Sequence, residues 1–181
     1  EASRWFALTR DKSQPRQRVR IGNFENFAGP KSIGDPALSW DDLAWFRDNT
    51  DLNFVLKGIV THEDAKLARK YGVDGIIVSN HGGRQLDGAI SSIEALPGIV
   101  AAVGKDIEVW MDGGIRSGQD VLKAWALGAK GTMIGRAMAY GLGAMGEAGV
   151  TKALQIIHKE LDITMAFCGH TNIQNVNTNI L

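Results

Sequence analysis

Four short apolar runs punctuate the chain: NFVLKG (53–58), GIIVS (75–79), IEVWM (107–111) and GTMIG (131–135). Each is short and apolar with β-branched members, and each is followed by glycine or polar residues, so each predicts a buried strand. Between and around them apolar residues return at helical spacing: Leu43 with Phe46; Ala65, Leu67 and Ala68; Val121, Ala124 and Trp125. Four of these helical stretches open on a hydroxyl followed three residues later by an acid: Ser39 with Asp42, Thr61 with Asp64, Ser91 with Glu94, Ser117 with Asp120. A side-chain oxygen there accepts an orphan amide, and the acid favours the positive helix end. A last helix is predicted over roughly 149–165.

Sliding the chain by 56 residues superposes KGIVTHEDAKLARKYGVDGIIVSN on GGIRSGQDVLKAWALGAKGTMIGR. Gly58 meets Gly114, Ile59 meets Ile115, Thr61 meets Ser117, Asp64 meets Asp120, Gly72 meets Gly128 and Gly75 meets Gly131. Each copy reads as strand end, turn, capped helix, glycine turn, next strand. Gly72 and Gly128 stand where a helix C-cap wants the left-handed conformation. Strands joined through helices run parallel with right-handed crossovers. A repeated β/α unit with polar residues after every strand predicts an α/β fold, a (β/α)8 TIM barrel, whose sites lie at the C-terminal strand ends. A doubly wound sheet shares this periodicity and is the alternative. A whole barrel takes about 250 residues, so four strands read as its second half. Half a ring exposes two sheet edges. Residues upstream of Glu1, or a partner chain, are therefore expected to complete it.

The bulk numbers narrow the partners. Hydrophobic residues are 44% and charged residues 22%, with zero formal net charge, so nothing points to nucleic acid. One cysteine, Cys168, excludes an intrachain disulfide and fits a reducing, cytoplasmic setting. It is expected to be inert filling near the last helix. No apolar run approaches the roughly 20 residues of a membrane span. Residues 1–35 lack a clear period and carry Arg4, Arg10, Lys12, Arg16, Arg18, Arg20 and Lys31. They read as a long basic loop: a solvated segment, an active-site lid, or a patch touching a membrane surface. Residues 36–170 form the half-barrel and 171–181 a tail. Trp40, Trp45, Trp110 and Trp125 are expected to pack, and His62, His158 and His170 to lie on the surface.

The strand ends hold the chemistry. The first ends in Lys57. The second runs into Ser79, His81 and Arg84; a neutral imidazole can take a proton near pH 7, and a guanidinium three residues on can grip a carboxylate with two bonds. The third ends in MDGGIRSG, with Asp112, Gly113, Gly114 and Arg116; the fourth ends in Gly135 and Arg136. The glycines let a ligand approach the backbone, Ser117 opens a helix whose first amides favour anions, and the two arginines suit phosphate. Barrels frequently hold phosphate after strands seven and eight. No H-x-x-x-H pattern or carboxylate cluster suggests a metal.

Three stretches, VSNHGGRQLDGAISSIEALPGIV, DGGIRSGQDVLKAWALGA and IGRAMAYGLGAMGEAGV, closely resemble the FMN-dependent α-hydroxy-acid oxidases and dehydrogenases. That family includes glycolate oxidase, L-lactate oxidase and dehydrogenase, flavocytochrome b2 and mandelate dehydrogenase. The resemblance covers roughly residues 36–170. It implies oxidation of an L-2-hydroxy acid, lactate or glycolate foremost, to the 2-oxo acid with FMN as cofactor. It implies that Lys57 and Ser79 contact the flavin and that Lys57 stabilises its reduced anionic form. It makes His81 the base, taking a proton from the substrate hydroxyl as hydride passes to the flavin, or from the α-carbon. It makes Arg84 the carboxylate anchor. Asp112 and Gly114 would line the ribityl-phosphate chain, with Gly113 also at the cofactor, and Arg116, Gly135 and Arg136 would hold the phosphate. It further implies that 1–35 follows the fourth strand, that the assembly is a homo-oligomer, commonly a tetramer, and that 1–35 can place the protein against the inner membrane. The first half of the family's barrel usually supplies substrate-side tyrosines and the aspartate that orients the histidine, so these 181 residues alone are expected neither to bind FMN tightly nor to turn over. The alternatives are another FMN or phosphate barrel, such as an isopentenyl-diphosphate isomerase-like enzyme, and a non-catalytic half-barrel module.

Overall fold

The structure is a computed structural model that describes residues 38–181; the loop expected over 1–35 lies outside the described residues. Helix α1 (Asp42–Asn49) leads into strand β1 (Val55–Ile59), α2 (His62–Lys70), β2 (Gly75–Val78), α3 (Ser92–Val103), β3 (Glu108–Asp112), α4 (Gly118–Ala126), β4 (Gly131–Met133) and α5 (Arg136–Phe167). All strands pair parallel in the order β1-β2-β3-β4. A doubly wound sheet reverses its strand order at a switch point. No reversal occurs here, and every crossover leads to the next strand, as in a barrel.

Register explains which residues go where. Leu56, Ile76 and Val109 align across the sheet, and so do Lys57, Ile77, Trp110 and Gly131. Strand side chains alternate between faces. Ile76, Val78, Val109 and Met111 point at the helices and are essentially buried, against Ala65 and Ala68 of α2, Leu96, Ile99 and Val103 of α3, and Ala124 of α4. Burying each large side chain contributes about 1.5–3 kcal/mol. The opposite face carries Val55, Trp110 and Met133, each more than a third exposed. This is the face that the remaining strands of a barrel bury.

The repeat is visible in three dimensions. Thr61 and Ser117 each accept from the amide three residues on, with a reciprocal box at Ser117 and another at Ser91. Val73 N donates to Ala68 O and Gly72 N to Arg69 O; Ala129 N donates to Ala124 O and Gly128 N to Trp125 O. These paired bonds, with φ of +72° and +102° at the two glycines, are the expected left-handed caps. Gly58, at φ +104°, is the extra residue where the β1–β2 register shifts between Lys57 and Ile59. The bulge re-aims the end of β1.

Several expectations need correction. Ser39 does not cap α1; instead Asp42 reaches back to accept from Ser39 N and Oγ at 2.6 and 2.9 Å, and Asp41 occupies the cap position without a side-chain bond to the helix amides. The last helix starts at Arg136, not near 149, and is broken at Met145 and Gly146, where Gly146 has φ +61° and ψ −140°. Gly141 and Gly149 come so close that a Cβ on Gly141 would stand 2.5 Å from Gly149 O, so the glycines let the chain fold back on itself. The 171–181 tail is built into the fold: Ile173, Val176 and Ile180 pack with Leu122, Trp125, Leu161 and Met165. Cys168 is exposed rather than filling. Trp45 touches Phe46 edge-on but stays 63% exposed. Among the described residues no helix is long and apolar enough to cross a membrane.

Candidate active site

Parallel strands deliver their C-terminal ends to one rim. Lys57, His81, Arg84, Asp112, Gly113, Gly114, Arg116, Gly135 and Arg136 all line a single cavity of about 450 Å³. Ser79 alone among the predicted positions does not. It is 3% exposed and joins the site through Lys57, whose Nζ donates to Ser79 Oγ at 2.9 Å. Lys57 also pairs with Asp112 Oδ2 at 2.9 Å. Ser79 Oγ accepts a second bond from His81 N at 3.1 Å. Both hydroxyl lone pairs are then occupied, and its proton is left for another acceptor. Asp112 Oδ1 is buried without a partner, which costs stability until a donor meets it. A hydroxyl donor on a ligand in the cavity would answer the carboxylate.

His81 sits on a tight 3₁₀ turn, His81–Gly83. Its φ of +57° is the one positive value outside glycine among the described residues, a conformation few side chains tolerate. Asn80 holds the turn. Its Oδ1 accepts from Gly83 N at 3.1 Å, its Nδ2 donates to Ile90 O at 3.2 Å, and its backbone N donates to Ser92 Oγ at 3.3 Å. Ser92 is itself buried and faces Gly113, where a Cβ would lie 3.1 Å from its Oγ. The histidine turn and the Gly113–Gly114 loop are thereby packed together. Arg136 Nη2 donates to Gly82 O at 3.1 Å and ties in the fourth strand end.

The cavity is cationic. Lys57, Arg84, Arg116 and Arg136 face one carboxylate, Asp112. No arginine of the three meets a carboxylate within 4.0 Å among the described residues. Space is open beside Gly114 and Gly135, where a Cβ would meet nothing within 4 Å. The anion-binding amides are not where the sequence places them. At the start of α4, Arg116 N and Ser117 N donate to Asp120 Oδ2, Gly118 N donates to Glu160 Oε2, and Asp120 N donates to Ser117 Oγ. That helix end is satisfied by the protein's own acids. The start of α5, at Gly135, has no side-chain cap and offers open amides to an anion. Among the described residues no group of three His, Cys, Asp or Glu could hold a metal.

Sequence reasoning passed over Asn80, Ser92 and Gln85. Asn80 carried a signal, since an Asx residue ahead of Gly-Gly is turn chemistry. Ser92 was masked by its neighbour Ser91, the helix cap. Gln85 lies beside the His81 ring, its Nε2 3.0 Å from Nδ1, a contact four residues apart in an irregular loop that no periodic pattern encodes.

The FMN-dependent dehydrogenase family matches residues 4–181. L-lactate dehydrogenase of Caulobacter vibrioides is 52% identical over 147 residues, covering 81% of this chain and 38% of that protein. L-lactate oxidase of a Nostoc species is 50% identical over 147 residues, 81% of this chain and 40% of its own length. 2-Hydroxyacid oxidase 1 of Mus musculus is 50% identical over the same share of this chain. Among solved structures, mandelate oxidase with benzoyl-formic acid aligns with a TM-score of 0.73 at 48% identity, over 76% of this chain and 41% of that one. The chain spans 38% to 45% of the length of the curated relatives named here and their like.

Proposed function

The chain belongs to the FMN-dependent dehydrogenase family, and from that premise we propose that it forms the C-terminal half of a (β/α)8 barrel that oxidises a small L-2-hydroxy acid to the 2-oxo acid. Lactate and glycolate are the favoured substrates; three of the relatives are named for lactate or 2-hydroxy acids. The observation that carries the reading is that His81 and Arg84 line the same cavity as Asp112, Arg116 and Arg136, so a proton acceptor, a carboxylate anchor and a phosphate cradle share one space.

The residues fit FMN. The unpartnered Asp112 Oδ1 suits a ribityl hydroxyl donor. The open amides at Gly135 with the Arg116 and Arg136 guanidiniums suit a dianionic phosphate. Lys57, held by Ser79 and Asp112, is a fixed cation for the ring edge. FMN, when bound, supplies the acceptor for the two electrons of the oxidation. Arg84 binds the substrate carboxylate and so orients the adjacent α-carbon. His81 takes the proton that the substrate gives up as its hydroxyl-bearing carbon is oxidised. Ser79 and Asn80 keep the imidazole in its left-handed turn. The half-ring leaves the Val55–Trp110–Met133 face open to solvent, and turnover requires the strands that close it.

The test is His81→Asn in the complete enzyme. Asparagine accepts a positive φ readily, so the turn survives. FMN stays bound while reduction by lactate or glycolate falls by roughly 100-fold or more. Near-normal reduction with this variant would refute the assignment.

A further inference from the structure

A carboxylate works against a cavity built to attract anions, yet Asp112 stands in this one, the one acid among its lining residues. Its placement is selective. Oδ2 lies 2.9 Å from Lys57 Nζ, while Arg84, Arg116 and Arg136 meet no carboxylate within 4.0 Å among the described residues. Ser79 Oγ takes a second N–H of the same ammonium at 2.9 Å, which leaves Lys57 one N–H for a ligand. We propose that Asp112 is the positioning residue and counter-charge of Lys57, and so sets how strongly the site holds the negative charge of reduced FMN; the proposal rests on the reading of Lys57 as the cation at the ring edge.

Oxidation of a 2-hydroxy acid removes two electrons and two protons. One proton goes to His81. The two electrons and the other proton reach the isoalloxazine, which gains one negative charge. A free cation at the ring edge favours that charged state strongly; an ion-paired cation favours it less. Asp112 can keep this role with the cofactor bound, because its two oxygens have separate tasks. Oδ2 holds Lys57, and Oδ1, buried without a partner, remains for a ribityl hydroxyl. The two side chains are 40% and 20% exposed. A ligand filling the cavity excludes water from the pair and reduces the screening of both charges.

The test is the flavin midpoint potential of the complete enzyme at saturating FMN, read by reductive titration against a reference dye. Sulfite, which adds to the oxidised ring and leaves it anionic, is a second probe of the same charge. Asp112→Asn keeps an acceptor oxygen for the ribityl chain and removes the counter-charge. It should favour reduced FMN by roughly 10-fold, a rise of about 30 mV for a two-electron couple, and tighten sulfite binding by a similar factor. Asp112→Ser repeats the measurement should the asparagine variant hold FMN poorly. Lys57→Met should shift both readings the other way, and the double variant, with neither charge, should return close to wild type. An unchanged potential in Asp112→Asn, beside a lowered one in Lys57→Met, would overturn the proposal and leave Lys57 at the ring edge. A double variant no nearer to wild type than the single ones would overturn it too, since the two charges would then not offset each other. An unchanged potential in Lys57→Met would instead remove Lys57 from the flavin, and the proposal would fall with that reading.

Discussion

Lys57 on β1 reaches across the whole width of β2 to place its Nζ 2.9 Å from Asp112 Oδ2 on β3. The reach is possible because the register aligns Lys57 with Ile77 and Trp110, so Asp112 lies two residues further along the same face. Ser79, two residues beyond Ile77, lies in the path and accepts from the same ammonium. Three strands thus share one cation, and the third strand's carboxylate keeps an unsatisfied oxygen for a ligand.

Removing that cation strands the acid. Lys57→Met leaves Asp112 half-buried with both oxygens unpartnered, and stability should fall by about 1–3 kcal/mol. Asp112→Asn, which keeps a hydrogen-bonding group without the charge, should cost less. Urea unfolding of the two variants checks the order; equal losses would show that the pair contributes nothing beyond packing.

The proposed phosphate cradle predicts a ligand preference. In the complete enzyme, Arg116→Ala and Arg136→Ala each remove a charge-assisted donor, so FMN affinity should fall by roughly 10–100-fold. Riboflavin, which lacks the phosphate, should bind wild type and both variants alike. Fluorescence titration measures both ligands, and an equal drop for riboflavin would move these arginines out of phosphate binding.

One acid-sensitive contact lies away from the site. Asp74 accepts from Phe54 N at 2.6 Å and pairs with Arg47 at 2.8 Å. The Phe54 amide first, and the Arg47 side chain second, hold its carboxyl below the usual carboxylate value of 3.8. A lowered folded-state pKa stabilises the fold above the unfolded value, and that stability is lost as pH falls through the folded one. Asp74→Asn should therefore be less stable than wild type at neutral pH, with the gap closing below about pH 4. Thermal melts across that range read it; a gap independent of pH would contradict the assignment.

Two helical glycines should respond oppositely. A Cβ on Gly118 would run into the backbone of Glu160 and Leu161, whereas one on Gly98 would meet nothing within 4 Å. Gly118→Ala should force α4 and α5 apart and lower the melting temperature sharply. Gly98→Ala should stabilise by about 0.5–1 kcal/mol through helix propensity. Similar melting temperatures for the two variants would show that the α4–α5 approach is not as close as described.

Much of this molecule was legible in the sequence. The 56-residue repeat and the hydroxyl–acid spacings at Thr61, Ser91 and Ser117 set out the β/α units, and the polar residues after each strand marked the cavity. Those features depend on bonds between residues three to five apart, or on the two-residue alternation of a strand, and local order in the chain is enough to specify them. The tertiary structure alone decided the rest. It chose sequential strand order over a doubly wound sheet. It placed Lys57 between Ser79 and Asp112, moved the open helix end from Ser117 to Gly135, and broke α5 at Gly146. Each of these depends on sheet register, on one helix's acid reaching another's amides, or on backbone approaching backbone, and such contacts come into being only when distant segments pack.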